Sequence, residues 1–195
     1  MSIHLVIFGP PGAGKGTQAT RLAERLGVQA ISTGDIFRAA VKNETPLGLE
    51  VKRLIEAGEY VPDTLTNAIV RARLNEKDTL DGFLLDGYPR TPGQVTELDS
   101  ILAFTDHGLH AVIELVVDQE AVVERLLKRA QIEGRPDDTE PVIRRRLEVY
   151  SEESAPLTQV YRDRGLLVEV DGMGSVEDVT EQTVNALTGK IPVRR

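Results

Sequence analysis

The chain has no cysteine, which excludes disulfides, thiol catalysis and thiolate zinc sites together. It also lacks any apolar run near the roughly 20 residues needed to cross a bilayer, any low-complexity segment, and any internal repeat of about 20 to 50 residues. The apolar run at its start is short, has no basic flank before it and leads straight into a glycine-rich loop, so it does not read as a signal peptide. Cations are in deficit: 23 Lys and Arg stand against 31 Asp and Glu, for a net charge of −8. Such a chain should repel nucleic acid and anionic membranes unless its cations are gathered in one place. These absences point to a cytoplasmic protein with neither nucleic acid nor membrane as partner. The three histidines, His4, His107 and His110, show no pair at metal-ligand spacing and read as structural or solvated, and Met173 reads as loop packing. A length of 195 residues suits a single domain with a sizeable core, residues 1–195.

What is present centres on Gly9-Pro10-Pro11-Gly12-Ala13-Gly14-Lys15-Gly16-Thr17. Before it, Ile3-His4-Leu5-Val6-Ile7-Phe8 is nearly continuous apolar sequence, the pattern of a parallel strand covered on both faces. After it, Ala19, Leu22, Ala23 and Leu26 recur at helical spacing. Strand, glycine loop and helix in that order make a phosphate cradle: glycines let successive N–H groups face one concavity, and the helix adds its unpaired N–H groups and positive dipole end. Lys15 is placed to reach the outer phosphates. The spacing fits G-x-x-x-x-G-K, with Gly16 inserted before the hydroxyl of Thr17. A chance glycine turn is the plain alternative, and the Lys, the Thr and both flanks speak against it.

Further strands are predicted over residues 28–32, 81–87, 111–117 and 166–170, separated by helical patterns. Short helices follow the second strand, one from Ile36 to about Asn43 and one from Pro46 to Glu56, and Pro62-Asp63-Thr64 opens a longer one. They suggest a helical flap inserted into an α/β core. Helices are also expected from Pro92 to about Phe104, from Gln119 to about Ala130, and over a long region from about Pro141 to Arg164 interrupted or kinked near Pro156. A loop should occupy residues 131–138, Ser175 should cap the closing helix, and residues 189–195 should form a frayed tail. Glu114, polar in an apolar run, is expected near a sheet edge or a polar cavity. The fold class is therefore α/β, a five-stranded parallel sheet with helices on both faces. Ligands on such sheets bind beyond the C-terminal strand ends, a rim shared by residues 9–17, 33–35, 86–90 and 171–174.

On that rim, Asp86 ends a buried strand beside the loop and is positioned to hold, through water, a magnesium ion bound to a nucleotide. Arg90 offers a forked contact to phosphate. A strand-end carboxylate capping the next turn and pairing with that arginine is the structural alternative. Later in the chain Arg125, Lys128, Arg129, Arg135, Arg144, Arg145 and Arg146 concentrate positive charge within an acidic sequence. Phosphoryl transfer spreads charge over oxygens that guanidinium groups match. Lys128, Arg144 and Arg145 read instead as solvated helix residues with i, i+4 partners such as Glu124, Glu140 and Glu148.

The motifs GPPGAGKGTQA (Gly9 to Ala19), ISTGDIFR (Ile31 to Arg38), GFLLDGYPRTPGQ (Gly82 to Gln94), LLKRA (Leu126 to Ala130), GRPDD (Gly134 to Asp138), RRRLEVY (Arg144 to Tyr150) and VDGMGSVEDV (Val170 to Val179) occur in one order from end to end. In them the chain resembles the adenylate kinases of the short-lid type, within the nucleoside monophosphate kinases. The resemblance implies a P-loop fold, reversible magnesium-dependent transfer of the terminal phosphoryl of ATP to AMP giving two ADP, a nucleotide-biosynthesis role and a monomer. It implies a flap for the monophosphate at about residues 32–61 and a short lid at about 129–139, without structural zinc.

Carried over position by position, it puts ATP against Gly12, Ala13, Gly14, Lys15, Gly16, Thr17, Arg125, Arg129 and Gly174. AMP is put against Thr33, Arg38, Glu59, Tyr60, Val61, Gly87, Tyr88, Pro89, Arg90, Gln94, Arg135 and Arg146, with Gln94 offering its amide to the adenine edge. Lys15, Arg90, Arg129, Arg135 and Arg146 are implied as the catalytic cations, and Asp86 as the magnesium residue. Glu59 and Tyr60 fall where members of the family vary. A uridylate or cytidylate kinase on the same scaffold is the nearest rival, against which Thr33 and Gln94 argue, since pyrimidine-specific relatives usually carry Ala and Asn there. A nucleotide sensor without catalysis is the rival from another class, and it need not keep every phosphate clamp.

Overall fold

The computed structural model describes residues 2–104, 107–133 and 138–192. Its sheet holds five parallel strands, β1 (Ile3–Phe8), β2 (Gln29–Ser32), β3 (Gly82–Asp86), β4 (Ala111–Val116) and β5 (Leu167–Asp171), in the spatial order β2-β3-β1-β4-β5. β1 is central: Val6 pairs with Leu85 on one side and Val112 on the other. Because side chains alternate across a strand, its apolar run serves two cores. Leu5 and Ile7 join Leu84 and Ile113 beneath helices α1 (Lys15–Leu26) and α9 (Val176–Leu187), which contribute Leu22 and Leu187. Val6 and Phe8 face the other way, towards Leu98 of α5 (Pro92–Phe104) and Tyr161 of α8 (Leu157–Asp163). Burial of each such side chain stabilises the fold by about 1.5–3 kcal/mol, and the double covering is why the strand reads as an unbroken apolar run.

Between β2 and β3 lie α2 (Thr33–Lys42), α3 (Pro46–Ala57) and α4 (Asp63–Leu74). They close over a small core of their own, Phe37, Val51 and Val61 with Leu47, Ile55 and Ile69. α2 begins at Thr33 rather than Ile36, because the Ser32 hydroxyl accepts from the Asp35 N–H at 3.3 Å and so starts the helix directly at the strand end. After β4 come α6 (Gln119–Glu133) and α7 (Glu140–Val149), joined by Val122, Leu126 and Ile143. α6 runs past the expected end at Ala130, which shortens the loop; residues 134–137, including Gly134, Arg135 and Pro136, lie outside the described residues.

The expected kink near Pro156 is a wide turn over Tyr150–Ser154 that ends α7 ahead of the proline. Glu114 is not at an edge, since β4 lies between β1 and β5. Its half-buried carboxylate accepts from the Thr158 hydroxyl at 2.9 Å, and burial holds its pKa above the usual carboxylate value. Ser175 caps α9 as expected, accepting from the Asp178 N–H at 3.2 Å. The tail is docked as far as described: Lys190 donates to the Gly165 carbonyl at 3.1 Å and Ile191 packs on the core, while residues 193–195 lie outside the described residues.

At the N-terminal pole of the sheet, buried His4 stacks on Phe83 with ring centroids 4.8 Å apart and meets His107 edge-on at 4.9 Å. Its backbone N–H donates to Nδ1 of His110 at 3.1 Å, and its own Nδ1 lies 3.2 Å from the Gly108 carbonyl. Burial lowers the His4 pKa from 6.5 to about 4, with His107 and His110 adding repulsion and the Gly108 carbonyl opposing. The unfolded chain therefore binds a proton between these values that the folded chain does not, so this contribution is complete above pH 6.5 and is lost as pH falls towards 4. Denaturant unfolding across that window should show about 1–3 kcal/mol of this loss in the parent and not in His4→Phe.

Candidate active site

The loop between β1 and α1 turns on glycines whose reasons differ. A Cβ on Gly9 would stand 2.9 Å from the Leu115 carbonyl, so that position is crowded. At Gly14 a Cβ would meet nothing within 4 Å, and it is the backbone, at φ +93°, that favours glycine. Ala13 is buried in the core, leaving only its backbone to face the loop. The Lys15 ammonium donates to the carbonyls of Gly9 and Pro10 at 2.7 and 2.9 Å. The residue as a whole is half-buried, but its head group is enclosed, and that burial lowers its pKa to about 8. Asp86 opposes the shift, and Arg90, Arg146 and Arg129 add to it.

Two clefts open from this point. One is floored by Gly12, Gly14, Lys15, Gly16 and Thr17, with Asp86, Arg125 and Arg129 on its walls. The other is lined by Thr33, Phe37, Val61 and Gln94, with Glu59, Tyr60 and Gly87 beside them. Arg38, Arg90 and Arg146 line both. The structure thus brings together residues from distant parts of the sequence. Asp86 ends β3 near the loop, with Oδ2 3.8 Å from where a Cβ on Gly16 would lie. Among the described residues no group of three or more His, Cys, Asp or Glu could hold a metal by itself. A single carboxylate beside a phosphate cradle nevertheless suits magnesium, which keeps several waters and takes its other ligands from substrate phosphates.

The remaining expected residues fall around these clefts. Pro89 lies between them with Lys15, Tyr60 and Arg146. Tyr88 turns its ring into the core, where its hydroxyl donates to Asn67 Oδ1 at 2.9 Å, and it lines neither cleft. Gly174 lines neither cleft; two residues before it, the Gly172 carbonyl accepts from Nη1 of Arg125 at 3.1 Å. Arg135 lies outside the described residues.

Internal partners hold these cations in place. Arg38 pairs with Asp35 at 2.6 Å. The Arg90 Nε donates to the Gly87 carbonyl at 2.8 Å, which also accepts from the Thr33 hydroxyl at 2.8 Å, and the guanidinium lies 4.8 Å over the Tyr60 ring. Tyr60 in turn shares a 2.8 Å hydrogen bond with Ser154, whose hydroxyl is 3.0 Å from the Arg90 carbonyl. Asp138 has a fully buried carboxylate that accepts two bonds from Arg129, both at 2.7 Å, and one from Arg146 at 2.9 Å.

Sequence reasoning named Asp138 only inside a motif; its burial between two arginines depends on α6 and α7 folding against each other. Arg145 keeps a partner on its own helix but does more than that pattern suggests. It forms a forked pair with Glu59, between α3 and α4, at 2.7 and 3.2 Å, besides one with Glu148 at 2.6 Å, and the Arg145 bond holds Glu59 below its usual pKa. Arg144 does pair with Glu140, as its spacing suggests.

The family model described as adenylate kinase matches residues 7–166. An adenylate kinase of a Nocardioides species is 59% identical over 95% of this chain and 97% of its own. That of Kocuria rhizophila is 58% identical over 94% of this chain and 98% of its own, and that of Leifsonia xyli subsp. xyli 57% over 94% and 92%. Set beside a phosphate cradle joined by shared arginines to a second cleft, the matches span nearly the whole chain, and the protein belongs to the adenylate kinase family, phosphotransferases that convert ATP and AMP into two ADP.

Proposed function

We propose that the loop cleft holds ATP, that the flap cleft holds AMP, and that the phosphoryl group passes between them past Arg38, Arg90 and Arg146. The observation that carries this assignment is that these three arginines wall both clefts. Backbone N–H groups of residues 12–17 and the Lys15 ammonium take the ATP phosphates, with Arg125 and Arg129 alongside and Gly174 at the adenine end. Thr33, Val61, Gly87 and Gln94 receive the AMP nucleoside, Glu59 and Tyr60 close the flap over it, and the backbone of Tyr88 and Pro89 borders it. Arg38 and Arg90 hold its phosphate, and Arg135 completes the cationic set from the lid.

An AMP phosphate oxygen forms a bond to the terminal phosphorus of ATP while the bond from that phosphorus to its bridging oxygen breaks, leaving the electron pair on the departing ADP. The attacking oxygen is already ionised at neutral pH, so no general base is needed. Arginines match the charge spread over the transferring oxygens, and closure excludes water. Asp86 is the residue that would hold magnesium through water, and the ion would supply neutralisation of phosphate charge. Structural zinc has no place in this reading, because the chain has no cysteine.

We read residues 1–195 as one domain with a flap at about 32–61 and a short lid at about 129–139. The flap's own small core supports this, as do its ties to the body through Glu59–Arg145 and Tyr60–Ser154. Both clefts are built from one chain, in keeping with a monomer. No helix among the described residues is long and apolar enough to cross a membrane, and the lack of cysteine suits the cytoplasm.

A coupled assay with ATP, magnesium and each monophosphate should show AMP as acceptor well ahead of UMP and CMP; equal use of UMP or CMP would favour the pyrimidine kinase reading, and no turnover with any would favour a sensor. Because the Lys15 ammonium titrates near 8 and must be charged to take phosphate, kcat/KM for ATP should decline as pH rises through about 8. The kcat profile should hold to higher pH, since bound phosphates keep the ammonium protonated. Asp138→Asn should lower kcat roughly tenfold or more by loosening Arg129 and Arg146; a kcat unchanged in steady-state rates would remove Asp138 from the mechanism.

A further inference from the structure

Gln94 is buried at the adenine end of the proposed AMP cleft, and an amide there selects a base only if its two ends are fixed. Its Oε1 accepts from the backbone N–H of Arg90 at 2.8 Å, and its Nε2 donates to Oδ1 of Asp63 at 2.7 Å. A backbone N–H can only donate and a carboxylate can only accept, so these partners define which end is which. The carboxylate is itself pinned, since Oδ2 accepts from the Thr91 hydroxyl at 2.7 Å, and that hydroxyl accepts the Gln94 backbone N–H at 3.2 Å. Gly93 leaves the room: a Cβ there would lie 2.8 Å from Oδ2 of Asp63. Asp63 opens α4 while Thr91, Gly93 and Gln94 lie at the start of α5, so two helices converge to orient one amide.

Held in this way, Gln94 still has a second N–H and a second oxygen lone pair to offer. A 6-aminopurine presents an acceptor at N1 and a donor at its 6-amino group, which matches that pair. A 6-oxopurine presents N1–H and a carbonyl oxygen, which would require the amide reversed, with its NH2 facing the Arg90 N–H and its oxygen facing the Asp63 carboxylate. We propose that Asp63 is a specificity-determining residue that acts through Gln94, locking its amide so that the acceptor cleft takes a 6-aminopurine and refuses a 6-oxopurine. This rests on the reading of the flap cleft as the AMP site. Asp63 touches the amide and not the base, so it is a positioning residue. Leaving buried polar groups mismatched is what gives such a site its discrimination.

IMP is the suitable probe, because it differs from AMP only at the purine 6-position and N1. In the intact protein, kcat/KM for AMP and IMP should be measured on the same preparations of the parent, Asp63→Asn and Gly93→Ala, so that the ratio is independent of the folded fraction. The carboxamide introduced by Asp63→Asn would carry both a donor and an acceptor and so no longer oppose a reversed Gln94 amide, leaving the Arg90 N–H alone to hold it, while the methyl group introduced by Gly93→Ala would displace the carboxylate. The AMP-to-IMP ratio should fall at least about tenfold in both variants, with IMP gaining in Asp63→Asn. A parallel change for both nucleotides, leaving the ratio within about twofold of the parent's, would reduce Asp63 to a structural role and overturn the proposal. A parent enzyme that uses AMP no better than IMP would instead overturn the reading of the cleft, and the proposal with it.

Discussion

Like charges repel, and this acidic chain nevertheless gathers Lys15, Arg38, Arg90, Arg125, Arg129 and Arg146 around one cleft. That crowding is the constraint on which the rest of the site depends. Internal acceptors hold these cations: loop carbonyls for Lys15, Asp35 for Arg38, the Gly87 carbonyl for Arg90, the Gly172 carbonyl for Arg125, and the fully buried Asp138 for Arg129 and Arg146. A carboxylate taken out of water is costly unless it is paired and hydrogen-bonded, and Asp138 accepts bonds from both of its arginines. The pairing fixes where the two guanidinium groups stand, an arrangement of the preorganised kind that phosphoryl transfer requires. The lowered pKa of Lys15 comes first from its burial, and the neighbouring arginines deepen it.

The stretch between α3 and α4 is joined to this centre by side chains. Glu59 and Tyr60 are consecutive, and each reaches the helical segment that follows α6: Glu59 reaches Arg145, and Tyr60 reaches Ser154. Tyr60 also lies under the Arg90 guanidinium, so one ring meets both Arg90 and the Ser154 hydroxyl. At the far side of the same cleft, α4 and α5 meet through Asp63, Thr91 and Gln94. The flap cleft is therefore bounded by polar contacts on two sides and by the apolar cluster of Phe37, Val51 and Val61 on a third.

The sequence by itself determined the sheet, the phosphate loop and the family. Apolar runs with β-branched residues, glycines at fixed offsets and a lysine at the head of a helix are local patterns, and local physics interprets them: alternation across a strand, left-handed backbone at Gly14, N–H groups at a helix start. The ordered motifs named many of the residues that line the two clefts, because several sit at strand ends and parallel strands bring those ends to one rim. Only the tertiary structure decided the partners. Arg144 and Arg145 are indistinguishable in a helical pattern, yet one pairs with its own turn and the other crosses to the flap. Asp138 and Asp63 are ordinary carboxylates in sequence; burial between α6 and α7, and the close approach that Gly93 permits, give them their positions. Such pairings join residues on separate elements, and one-dimensional periodicity holds no information about which faces of two helices will meet.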